Sequence, residues 1–211
     1  DFCEPGPVHR CIHAVCHQIE DHAQAAGIAV AYFNVTTFDD YLRMLKTCCD
    51  ITGDAEAYKD NGTEVAEDID AIKKKTEGKS AGSVAVLTTY SGGTRVQASS
   101  TQTGTMLAEL GASNITDADK SLLSDYSLES LVKADPDFIF LLPMGDSSEA
   151  AQKALKDQTT ANPAWKELTA VKEGRVITLN PKLFLYKPND NWDDAYEELY
   201  EALYETPREQ K

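Results

Sequence analysis

After the pair Asp135-Pro136, the residues Asp137-Phe138-Ile139-Phe140-Leu141-Leu142 form a run that is almost continuously apolar. Proline cannot continue a helix, so Asp135-Pro136 ends one and launches the next element. A run this short with no polar alternation is the pattern of a strand buried on both faces, as in a parallel sheet covered by helices on each side. That single segment points to an α/β fold.

The remaining elements alternate accordingly. Residues 83–90 are rich in β-formers, Ser91-Gly92-Gly93 is a turn, and residues 95–98 suit a hairpin partner. Residues 103–110 read as a helix closed by Gly111, residues 128–133 and 148–156 as further helices, and residues 175–179 as another strand. At the end of the chain Trp192, Tyr196, Leu199 and Leu203 make an apolar stripe opposite Asp193, Glu197 and Glu201.

The chain before residue 83 follows the same logic. Val8, Ile12, Val15 and Ile19 have helical spacing up to about Gly27, and residues 28–33 read as a strand. Thr37 is an N-cap with Asp40 at the N3 position, ahead of the stripe Phe38, Leu42, Leu45 and Cys49. From Asp54 the acids Glu56, Asp60 and Glu64 come first, Lys73, Lys74 and Lys75 come last, and Gly78 follows, an order that suits a helix dipole and a glycine stop. Tyr58, Val65, Ile69 and Ile72 give this segment its apolar positions, so it is predicted to be one long helix lying across two subdomains. The segment 78–82 is the best boundary.

With 211 residues of which 42% are hydrophobic, the chain is able to bury a substantial core. Its 20 basic and 35 acidic residues give a formal net charge of −15, which repels nucleic-acid phosphates and anionic membranes. Nucleic-acid binding is set aside on that ground. No stretch approaches the roughly 18 apolar residues of a membrane-spanning helix, and Asp1-Phe2-Cys3 is not the start of a signal peptide. The five cysteines, Cys3, Cys11, Cys16, Cys48 and Cys49, all lie in the first quarter with no C-x-x-C pair. The odd count, and the divergent directions of adjacent Cys48 and Cys49 on a helix, argue against a disulfide framework.

No enzymatic constellation is present. There is no G-x-S-x-G elbow, no P-loop, no G-x-G-x-x-G after a strand, and no histidine beyond residue 22 to serve as a base. The triplets at Asn34, Asn61 and Asn114 match the glycosylation pattern but arise often by chance. All four histidines lie in the opening segment, and His9, His13 and His17 fall four apart on one helical face near Cys16. That spacing is able to hold a transition metal. No carboxylate or cysteine completes an ordered ligand set, however, and the same residues form the polar side of the helix that Val8, Ile12, Val15 and Ile19 define.

In the second half, four segments occur in a telling order: Met106-Leu107-Ala108-Glu109-Leu110-Gly111-Ala112-Ser113-Asn114-Ile115; Ser127-Leu128-Glu129-Ser130-Leu131 leading into Ala134-Asp135-Pro136-Asp137-Phe138-Ile139-Phe140; Asn162-Pro163-Ala164-Trp165; and Leu168-Thr169-Ala170-Val171-Lys172-Glu173-Gly174-Arg175-Val176. In combination they resemble the solute-binding proteins of ABC importers for iron-siderophores, haem and cobalamin, whose two lobes are joined by a single long helix. The resemblance covers about residues 28–205. It implies a Rossmann-like C-terminal α/β lobe at 79–211, an interlobe helix at 54–78, and a partial N-terminal lobe at 1–53, since a whole lobe precedes the helix in the family. A shortened lobe leaves sheet edge and apolar surface uncovered, so a partner chain, for instance in a homodimer, is expected to pack there.

The resemblance also implies a function: extracytoplasmic capture of a ferric siderophore or related metal chelate, in the periplasm or as a membrane-anchored lipoprotein, with delivery to an ABC permease and no cofactor. Haem is the alternative ligand within the family. Outside it, the alternatives are a metal-handling or redox role for the His/Cys segment and an interaction protein that kept one lobe. In such proteins the ligand sits against loops at the carboxyl ends of the strands. These loops are 88–91, 143–146 and 186–189, so the implied ligand-binding residues are Tyr90, Arg95, Met144, Tyr186 and Lys187. The tyrosines offer aromatic surface or a phenol, Lys187 and Arg95 offer positive charge, and Tyr90, Tyr186 and Met144 are the available axial ligands for haem. Glu149 is the residue implied for docking to basic pockets on the permease, although an acid in a helix's first turn is also favoured by the dipole alone.

Overall fold

A computed structural model of the chain describes residues 22–23, 25–90, 93–124, 127–144 and 162–205, and in it the apolar run becomes an inner strand of a five-stranded sheet. The chain divides into two compact units, Asp1–Asn34 and Val35–Lys211.

Within the first unit the helix does end near Gly27, which takes φ 72°, with the Ile28 N–H donating to the Ala23 carbonyl at 2.8 Å. The predicted strand at 28–33 does not form. A strand is held by a neighbour's backbone donors and acceptors, and among the described residues no strand of the sheet runs beside this segment.

The second unit opens with helix α1, Phe38–Thr52. Its start is the predicted capping box: Thr37 Oγ1 accepts from the Asp40 N–H at 3.2 Å, and Asp40 Oδ2 accepts from the Thr36 and Thr37 N–H groups at 3.0 Å each. Those two backbone donors hold the Asp40 carboxyl below the usual carboxylate range. Replacing the hydroxyl leaves a helical N–H without its partner, so Thr37→Ala is expected to lower stability by about 1 kcal/mol, measured from the urea midpoint at unchanged slope. Cys48 is exposed and Cys49 buried, in keeping with their divergent directions.

The predicted long helix is a continuous helical run with an altered middle: α2, Ala55–Tyr58; a π-helical segment, Lys59–Glu64; and α3, Val65–Thr76. Gly62 explains the middle. A Cβ there would lie 3.1 Å from Leu45 Cδ2 and 3.3 Å from Leu42 Cδ2, so α1 packs directly on the glycine, and the Tyr41 hydroxyl donates to the Asn61 carbonyl at 3.0 Å. Glycine and asparagine hold an α-helix weakly, and a wider turn forms where a neighbour presses in. Gly78 follows the run with φ 73°, as the glycine stop requires.

The sheet comprises β1, Gly82–Tyr90; β2, Gly93–Val96; β3, Ala112–Asn114; β4, Phe138–Pro143; and β5, Val176–Thr178. The strand order is β2-β1-β4-β5, and β3 pairs with the start of β1. Only the β1–β2 hairpin is antiparallel. Sequence reasoning missed β3, which is three residues long and lies directly after a helix.

Helices cover both faces, which is why β4 lacks alternation. Phe138, Phe140 and Leu142 join Val84 and Val86 in one core, with α1, α3, α4 (Gln102–Glu109) and α9 (Trp192–Tyr200). Ile139 and Leu141 join Ala85 and Leu87 in the other, with α5 (Ile115–Ala118), α6 (Leu128–Ala134) and α7 (Thr169–Lys172). The helical run therefore shares its core with the sheet. A short helix α8, Pro181–Phe184, follows β5.

Candidate functional site

Because β1, β4 and β5 are parallel, their carboxyl ends lie along one edge of the sheet, where α/β folds bind ligands. The β1–β2 hairpin sets the first part of that edge. Arg95 is opposite Thr88 in the ladder, and Tyr90 is two residues further along β1, so the two side chains share a face as a diagonal pair. The Arg95 guanidinium carbon lies 5.2 Å from the centre of the Tyr90 ring, within the range of a cation–π contact. Arg95 is exposed and Tyr90 half-buried.

Met144 joins them. Its N–H donates to the Thr89 carbonyl at 2.7 Å, extending the β4–β1 pairing by one residue, and its side chain is 45% exposed. The edge thus presents a cation stacked on an aromatic ring, with an exposed methionine at the end of the neighbouring strand. Beneath it lies a polar layer. Gln97 Nε2 donates to Thr88 Oγ1 at 2.7 Å, and Thr101 Oγ1 donates to Gln97 Oε1 at 3.0 Å. The hydroxyls of Thr103 in α4 and of Thr94, on the opposite face of the sheet, are buried with no hydrogen-bond partner among the described residues.

Tyr186 and Lys187 follow α8 at the same edge of the sheet. Tyr186 is 57% exposed, its N–H held by the Pro181 carbonyl at 2.9 Å. Lys187 is exposed overall, yet its ammonium donates to the Val35 carbonyl and, at 3.3 Å, to Gln102 Oε1. Loss of hydration pushes its pKa below the ordinary lysine value, and the nearby Asp40 carboxylate opposes that shift. The structure stacks Arg95 on Tyr90, ties the Met144 backbone to Thr89 and gives Lys187 partners within the protein. Val35 and Gln102 were not singled out from the sequence. The one local signal was Thr101, a hydroxyl residue just before the helix, which caps it by accepting from the Gly104 N–H at 3.2 Å.

Glu149, His9, His13 and His17 lie outside the described residues. Among the described residues no group of three or more His, Cys, Asp or Glu side chains is placed to hold a metal ion, and no helix is long and apolar enough to cross a membrane.

Known proteins share this fold. The structure superposes on an ABC transporter substrate-binding protein from Listeria monocytogenes EGD-e with a TM-score of 0.71 at 21% identity, covering 90% of this chain and 73% of that one. Staphylococcus aureus IsdE complexed with heme gives 0.71 at 18% identity, with 90% and 74% covered. The triscatecholate siderophore binding protein FeuA from Bacillus subtilis, complexed with Ferri-Bacillibactin, gives 0.64 at 21% identity, with 80% and 61% covered. At such identities the likeness is one of fold. In sequence, the chain is 27% identical over 163 residues to the high-affinity heme uptake system protein IsdE of Staphylococcus aureus, a match covering 75% of this chain and 55% of that protein. The chain thus spans about half the length of the curated relative it matches. The sequence profile of the periplasmic binding protein family matches residues 13–183, most of the chain. The profile match covers well over half of the chain, and the chain belongs to the periplasmic binding protein family.

Proposed function

We propose that this chain captures an iron chelate outside the cytoplasm and delivers it to an ABC permease, acting as a solute-binding component rather than an enzyme. The observation that carries the reading is the Arg95–Tyr90 stack at the carboxyl edge of the sheet, in a member of a binding-protein family. A ferric siderophore satisfies its iron's coordination itself, so its protein need supply only aromatic surface and a few cationic or hydrogen-bonding groups. Arg95 and Tyr90 meet that need, and Tyr186 widens the aromatic surface. On the family's plan, residues 54–78 serve as the linking helix, 79–211 as the second lobe and 1–53 as part of the first. Glu149 serves as a docking carboxylate for the permease.

Haem is a second reading, favoured by a specific observation: the relative matched in sequence is a heme uptake protein. Met144 and Tyr90, side by side at the edge, are both residue types that ligate haem iron.

Calorimetric titration with a ferric catecholate, a ferric hydroxamate and haemin tests both readings. For a siderophore, the double variant Tyr90→Ala/Arg95→Ala is expected to weaken binding by about tenfold or more, the loss of roughly 1.4 kcal/mol or more from one desolvated cation–aromatic platform. Equal affinity in the double variant and the parent would place the site elsewhere. Haemin binding with a Soret band displaced by Met144→Ala or Tyr90→Phe would replace the siderophore by haem.

A further inference from the structure

Lys187 joins three segments that are far apart in the chain. Its ammonium donates to the carbonyl of Val35, at the start of the second compact unit, and to Oε1 of Gln102, in the first turn of α4. Gln102 then uses its other amide atom, with Nε2 donating to the Leu183 carbonyl at 2.9 Å in α8. The side-chain amide is therefore oriented at both ends. An ammonium, which only donates, is the group able to serve two oxygen acceptors at once. Gln102 is 8% exposed, so its amide has little water to turn to if the lysine is removed.

The tie reaches the ligand edge through a short chain of contacts. Next to Gln102, Thr101 both caps α4 and donates to Gln97, and Gln97 donates to Thr88, the ladder partner of Arg95. The first turn of α4 also lies at the carboxyl edge, because α4 leads into β3, whose Ala112 pairs with Gly82 at the opposite end of β1. Charge supports the arrangement: Asp40, at the start of α1, is the carboxylate whose field favours the protonated lysine.

We propose that Lys187 is a positioning residue that pins the chain at Val35 and the first turn of α4 together, and so holds the wall behind Tyr90 and Arg95 in one place, rather than contacting the ligand. The link to ligand binding rests on the function proposed above; the pin itself does not.

Hydrogen–deuterium exchange of the full chain without ligand, read by mass spectrometry, tests the pin. Lys187→Met keeps most of the stem and removes the donor. It is expected to speed exchange by about tenfold in peptides covering 36–41 and 101–105, where the α1 and α4 caps are held, and to leave the β4 peptide 138–142 unchanged. Lys187→Arg, which retains the donor, is expected to restore most of the protection, and Gln102→Leu to reproduce the change at 101–105. Exchange in Lys187→Met equal to the parent in both peptides would overturn the proposal, as would uniform acceleration that includes β4. Weakened chelate binding by Lys187→Met with exchange unaltered would also overturn it, by making Lys187 a ligand contact. If no iron chelate binds the parent at all, the function proposed above fails while the exchange result still decides the pin.

Discussion

Trp192→Ala is expected to lower the unfolding temperature by roughly 10 °C. Trp192 is 0% exposed and opens helix α9 against α1. Its ring lies 5.8 Å from Phe38 at 60° and 6.3 Å from Tyr41 at 42°, so truncation removes two aromatic contacts and leaves a cavity between the helices. Large-to-small changes of this kind cost about 3–5 kcal/mol. The indole nitrogen decides a finer point. Buried Nε1 has no hydrogen-bond partner among the described residues, so the ring acts here through packing. Trp192→Phe, which keeps an aromatic body, is therefore expected to lose much less than Trp192→Ala. Differential scanning calorimetry of both variants checks this, and equal losses would show that the indole N–H, not the ring, matters.

Gly104→Ala is expected to destabilise the protein by about 2–3 kcal/mol, although exchanging glycine for alanine inside a helix ordinarily gains about 0.5–1 kcal/mol. The added Cβ would lie 2.4 Å from the Ala98 carbonyl oxygen, 2.8 Å from Ser99 Cα and 2.9 Å from Ser99 C. All three are backbone atoms of the segment entering α4, so no side chain is free to swing away. The clash outweighs the gain in helix propensity. Relief requires the first turn of α4 to shift, which also moves Thr101 and Gln102, so the variant is expected to weaken binding of the proposed iron chelate as well. A urea midpoint at or above the parent's would show that the segment yields freely.

Several parts of this protein were legible in its sequence because the forces behind them act over a few residues. The apolar run of β4 reported a strand covered on both sides. Thr37 and Asp40, three apart, reported a capping box, and Gly78 and Gly111 reported helix stops, both with positive φ in the structure. Tyr90 was picked out as a loop residue and Arg95 as a cation on its hairpin partner, and the diagonal register that stacks them became visible only with the ladder.

What only the tertiary structure decided involves partners distant in the chain. The long helix acquires its π-helical middle because α1 packs on Gly62, and periodicity within the helix carries no record of that neighbour. Residues 28–33 have a strand's composition, yet a strand requires a pairing partner as well as a propensity. Lys187 reads as an available cation beside Tyr186, but its partners Val35 and Gln102 are 152 and 85 residues away. Composition and spacing determined that this chain forms an α/β sheet covered on both faces. Which charges at the carboxyl edge find partners within the protein was decided by contacts across the fold, because a charged group is taken up by whichever donor or acceptor the fold brings within hydrogen-bonding distance.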